Sequence, residues 1–184
     1  MMYLVLTALL AMNVSKDILN AFVTVNDGLE STKHNFKEKN ADAYSSFAKS
    51  NSENPIKTGP YYKKALEIQK VADELVTYID DIKVEIIAGI EPEYTTETAR
   101  GKNQFNEDTI LNLKYVKVKD NYLFSTNLLV GGDPVSPKDG PMSALELKSK
   151  LESFRDKAKS LVKKGGAIDA ALDETFSFED ARNA

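Results

Sequence analysis

Cysteine and tryptophan are absent from this chain of 184 residues, and histidine occurs once, at His34. The lack of cysteine excludes disulfides, thiolate metal sites and a cysteine nucleophile. A single imidazole is a poor start for a metal cluster or a Ser-His-Asp triad. His34 reads instead as a solvated residue on a polar helix face. An excess of charge is also missing. The 24 Lys and Arg stand against 28 Asp and Glu, a net charge of -4. Nucleic-acid binding calls for a basic surplus that this balance does not supply. Phosphate-loop chemistry has no signature either, because Gly131-Gly132 is not followed by the GxxxxGK[ST] pattern. Asp80-Asp81 reads as a solvated pair on a helix rather than as an acid and its base. Tyr61-Tyr62 reads as packing at a helix start. With no nucleophile, metal or nucleotide pattern, no cofactor is expected and an enzyme is not the reading.

What is present is spread unevenly. Met1 to Val14 reads MMYLVLTALLAMNV and carries no charge. A spanning helix needs roughly 20 apolar residues, so this run is short. A secretory signal would place a basic region before the apolar run and a small-residue cleavage site after it. Neither is evident. The favoured expectation is a transmembrane helix over residues 1–22 whose first turns precede Met1. Lys16 and Asp17 would mark the membrane exit, with Lys16 able to snorkel. Beyond them Ile18, Phe22, Val25, Leu29 and Phe36 follow spacings of 4, 3, 4 and 7. That is a heptad-like seam on the same continuing helix, suited to pairing with another helix.

Residues 23–184 read as one helical domain, incomplete at its C-terminal end. Asn51 to Gly59 reads as a turn-rich connection. Pro60 then opens a second long helix with Ala65, Ile68, Ala72, Leu75, Ile79, Ile82 and Ile86 on one stripe, ending at Gly89 and Pro92. Antiparallel packing of the two would make a helical hairpin. Glu91 to Asp108 looks irregular. Leu111 to Val130 carries β-branched and alternating runs and reads as short extended segments turning at Asp120-Asn121. Gly131 to Pro141 is a loop. Another helix is expected from Ser143 to Lys163, opened by a Ser143/Glu146 capping box and stopped at Gly165-Gly166. The last 18 residues look loose. The fold class is therefore mainly α: a single transmembrane helix continuing into a helical bundle with short extended segments.

The run from Met2 to Leu19, MYLVLTALLAMNVSKDIL, resembles the N-terminal membrane helix of the GldM/PorM family, whose pattern is close to MMYLVLTALLALNVSKEVL. The Lys119-Asp120-Asn121-Tyr122 stretch and the Leu145 to Leu161 helix resemble that family's first periplasmic domain. The resemblance implies a single-pass inner-membrane protein with its C-terminal part in the periplasm. It implies a subunit of the proton-motive-force-driven GldL-GldM motor, which powers type IX protein secretion and gliding motility. Two copies, a homodimer, would sit inside a pentameric ring of multi-span GldL subunits. Torque would pass through the periplasm to a GldK/GldN ring by way of later domains. A basic stretch with an arginine is expected before Met1, and further domains after residue 184. Tyr3, Leu6, Leu10 and Asn13 would form the motor interface within the membrane. A buried tyrosine or asparagine there needs a hydrogen-bond partner, and the leucines offer a smooth surface. Two other readings compete: a membrane-anchored helical scaffold or adaptor, and a secreted helical binding protein.

Overall fold

One non-helical residue, Asn54, separates the two longest elements, α1 (Met2–Glu53) and α2 (Pro55–Ile90). The computed structural model describes residues 2–102, 105 and 107–177, with side chains from Ile18 onward apart from 108 and 109. Helix α1 runs without a break across residue 22. The expected loop from Asn51 to Gly59 is not there. The Asn54 side chain accepts the Lys57 N–H at 3.2 Å, and Pro55 takes the first helical position, so α2 starts five residues before Pro60. Proline is tolerated at that first position because its missing N–H has no intrahelical partner to lose. Pro60 lies inside α2, one turn further on, where its missing amide removes one intrahelical bond.

The two helices form an antiparallel hairpin. Near its tip the Tyr44 hydroxyl donates to the Ala65 carbonyl at 3.0 Å, and Tyr62 meets Phe47 edge-on at 5.4 Å. The expected packing of the tyrosine pair thus holds for Tyr62, while Tyr61 is exposed. Half-buried Val23, Asn26, Glu30, Tyr44, Phe47 and Asn51 mark the side of α1 that meets α2. This side repeats with the heptad, as in a left-handed helix pair.

A small core closes the end of the hairpin away from the tip. Val84, Ile87, Ala99 and Val116 are buried there, with Ile90, Tyr94, Ile110 and Leu113 packed around them. The stretch expected to be irregular contains the only described sheet. Strand β1 (Arg100–Lys102) pairs antiparallel with β2 (Asp108–Ile110), Arg100 opposite Ile110. The Leu111 N–H donates to the Ala99 carbonyl at 2.7 Å and extends the ladder.

Leu111 to Val130, expected to be extended, is not a sheet. A 3-10 turn covers Leu113–Tyr115, and α3 covers Tyr122–Leu129. The physical reason lies in one buried carboxylate. Glu91, 2% exposed, accepts the backbone N–H groups of Lys117 and Val118, so those amides cannot join a ladder. Asn121 becomes the N-cap of α3 rather than the tip of a turn. Phe124 then docks over Gly89 of α2, and this tertiary contact overrides the β propensity of the segment.

Helix α4 (Ala144–Leu161) runs antiparallel to α2, with Glu146 beside Tyr78 and Lys157 paired with Glu67. The capping box is half formed. Ser143 Oγ accepts the Glu146 N–H at 3.1 Å, but the Glu146 carboxylate reaches back to the Met142 N–H, at 2.8 Å. The tail also departs from expectation. After the stop at Gly165 (φ 71°) the chain forms α5 (Ala167–Thr175). The pairing of Lys159 with Asp173 and the edge-on contact of Phe154 with Phe176 fold this helix back on α4.

Candidate assembly surface

Six apolar side chains are buried among the described residues, while sixteen large ones stand exposed. Large exposed apolar surface on a soluble domain marks an interaction site. On α1 the exposed set is the heptad seam itself. Ile18, Phe22, Val25, Leu29 and Phe36 are each more than half exposed, Phe22 at 64%. At about 100° per residue the seam lies roughly a third of a turn around α1 from the side that meets α2. The hairpin therefore forms without the seam, whose side chains stay more than half exposed among the described residues. Gly28, beside the seam, has open space around it.

The far side of α1 carries a strap made of the β-hairpin and the turn after it. Asn112 donates to Asp27 at 3.0 Å, and Lys37 donates to Glu107 at 2.8 Å. His34 is not the solvated residue expected. Its ring stacks on Phe105 at 3.8 Å between centroids, nearly parallel. Its Nε2 lies 3.6 Å from Glu38 and its Nδ1 3.4 Å from Glu107. The imidazole thus stands between two carboxylates, one beside each ring nitrogen. Between strap and hairpin lies a cavity of about 280 Å³, floored by Ile86, Ile87, Ile110 and Leu113 and rimmed by Asn26 and Asp27.

A second tie joins α2 to α4. The Tyr78 hydroxyl donates to Glu146 at 2.7 Å, under the Lys150 ammonium 4.5 Å from the ring centroid. Burial, then the hydrogen bond to Glu146 and its charge, push the Tyr78 phenol up to about 12. The Glu146 carboxyl is held below its ordinary value, first by the Tyr78 hydroxyl and then by the Met142 N–H. Asp80 pairs with Lys83 and Asp81 with Arg100.

Tyr3, Leu6, Leu10, Asn13, Lys16 and Asp17 lie outside the residues whose side chains are described. Among the described residues no helix is long and apolar enough to cross a membrane, and no group of three His, Asp or Glu could hold a metal ion. Sequence reasoning missed the Glu91 clamp, the Tyr78–Glu146 tie and the strap. Glu146 alone carried a signal, through its capping box.

A long hairpin with an outward apolar stripe and a small core at one end defines a structural subunit of an assembly. The GldM N-terminal domain profile matches residues 17–184. The chain belongs to the GldM family, a component of type IX secretion and gliding motility. No curated protein matches it.

Proposed function

We propose that this chain is the inner-membrane subunit of the proton-motive-force-driven GldL-GldM motor. Two copies pair through the seam and stand inside a pentameric ring of GldL-type subunits. Torque taken up by residues 1–22 passes along α1 into the periplasm and on to a GldK/GldN-type ring. Tyr3, Leu6, Leu10 and Asn13 face the surrounding ring, and Lys16 and Asp17 sit at the membrane exit.

The observation that carries this reading is the exposed seam on a helix that continues into the apolar run. Heptad seams of this kind bury when two helices wind together. The uninterrupted helix suits rotation, because a break at the exit would absorb a twist.

None of these 184 residues is a cysteine, so none of them competes for the crosslink. Val25→Cys in the full-length protein should give an intermolecular disulfide in native membranes. Thr24→Cys, exposed on a different side of α1, should give far less. Equal crosslinking at both positions would sink the seam. Tyr3→Phe should lower secretion and rotation with the assembly intact, and unchanged activity would remove Tyr3 from the interface.

A further inference from the structure

The outward seam of α1 changes character partway along the helix. Its alternating steps of 4 and 3 run through Ile18, Phe22, Val25 and Leu29 to Thr32 and Phe36. The Thr32 hydroxyl donates to the Gly28 carbonyl at 2.9 Å, so its polar group is satisfied on its own helix. The next position in the series is Lys39, followed by Ala43, Ser46, Ser50 and Glu53. None of these five is a large apolar residue. The Lys39 ammonium lies 5.7 Å from the ring centroid of Phe36, the last aromatic of the seam.

The side of α1 that meets α2 changes in the opposite sense. From Asn26 to Glu30 it presents Asn26, Asp27 and Glu30, and the cavity of about 280 Å³ stands between them and Ile86 and Ile87. Further on it presents Tyr44 and Phe47, which engage Ala65 and Tyr62 of α2. Between these two stretches, from Asn35 to Ala43, every residue of α1 is exposed. Up to Phe36 the seam points away from α2. From Tyr44 onward the aromatic side chains point toward it. A helix with this pattern has two partners in succession along its length.

Both copies lead with α1 into one membrane, so a pair formed through the seam is parallel, and each seam residue meets its counterpart in the second copy. Phe22, Val25, Leu29 and Phe36 then bury against their equals. Lys39 meets an identical lysine. A charge at a seam position costs stability, and like charges brought face to face repel. Beyond it, Ala43 and Ser46 offer little apolar surface to recover the loss.

We propose that the two copies are paired from Ile18 to Phe36 only and part at Lys39. The dimer is then a Y. Its stem is a pair of α1 helices about 27 Å long, and each arm is the far half of one hairpin. This rests on the parallel seam pairing proposed above. The arms stay intact on parting, because Tyr44 and Phe47 already have their contacts within the chain.

Thr24 and Ser52 are both exposed and occupy equivalent heptad positions, one on the stem and one near the tip. Spin labels on Thr24→Cys and on Ser52→Cys report the separation of the two copies at each level. The protein is the otherwise cysteine-free full-length chain, assembled with its GldL-type partner in nanodiscs. Pulsed electron paramagnetic resonance should give a narrow distance at position 24. The distance at position 52 should be longer by about 5–10 Å, as for straight helices crossing at about 20°. Lys39→Leu, Ala43→Leu and Ser46→Leu together continue the seam and should remove at least half of that difference. Equal distances at the two positions in the parent would mean that pairing runs to the tip, and would overturn the Y alone. No defined distance at position 24 would remove the seam pairing beneath it. A position 52 distance left unchanged by the triple replacement, in a chain that is still helical by circular dichroism, would overturn Lys39 as the point of parting.

Discussion

Gly89 lies directly under the ring of Phe124: a Cβ on the glycine would come within 2.0 Å of the ring's Cζ. Helix α3 owes its place at the end of α2 to this close approach. Elsewhere in a helix, glycine is a weakness of about 1 kcal/mol relative to alanine. Here the absent side chain is the seat for an aromatic ring.

Opposite signs are therefore expected for two glycine replacements. Gly89→Ala should destabilise by about 1–3 kcal/mol, the usual cost of overpacking. Gly28→Ala, with nothing within 4 Å of its Cβ, should stabilise by about 0.5–1 kcal/mol. Urea unfolding of the protein checks both. Pairing Gly89→Ala with Phe124→Ala should recover part of the loss, and no recovery would show that the ring is not the obstacle.

Glu91→Ala removes the acceptor of two half-buried backbone amides. A buried donor left without a partner costs about 1–3 kcal/mol. The same variant should speed hydrogen exchange at Lys117 and Val118 more than at the hairpin tip. Glu91→Gln keeps one acceptor oxygen and should lose less. Unaltered exchange in the alanine variant would mean that the turn is held by other contacts.

The Tyr78–Glu146 tie makes stability depend on pH at both extremes. The Glu146 carboxyl is lowered in the fold, so the unfolded chain takes up its proton first. The stability it adds is complete above the ordinary carboxyl range, near about 4.3. That stability is lost as pH falls through the lowered value. The Tyr78 phenol is raised to about 12, so its share is complete below about 10 and is lost as pH climbs toward the folded value. Tyr78→Phe should flatten both limbs of the melting temperature against pH. An unchanged acid limb would place the acid sensitivity elsewhere.

The seam should be silent in folding and decisive in association. Phe22→Ser and Leu29→Ser touch exposed side chains, and such changes stay within about 0.5 kcal/mol of the parent. Both should weaken self-association in sedimentation or crosslinking. A large loss of folding stability would mean that these residues pack within one chain.

The long helices were legible because their apolar stripes keep one period for many turns, and α4 because Ser143 and the glycines after Lys164 bracket it. The hairpin tip was misplaced. Asn51 to Gly59 has the composition of a loop, yet a cap at Asn54 and a proline at the first helical position let both helices run to within one residue of each other. Helix α3 was hidden for a different reason. Its strand-like residues obey Glu91 and Gly89, which lie about thirty residues back in the chain and which no local pattern connects to them. The seam was visible as a period, but period alone cannot say which of two apolar sides meets α2. The strap depends on Asn112 finding Asp27 across 85 positions, a pairing without any local trace.

The one-residue joint at Asn54 has a mechanical consequence. Two helices joined by a flexible loop behave as a string between rods, and a turn imposed on one is lost in the slack. With Asn54 capping α2, and Tyr44 and Phe47 holding it against α1, the hairpin has no compliant corner. In the proposed motor it would behave as a crank. Any angle through which the base of α1 is driven is swept by α2, α3 and α4 as an off-axis load.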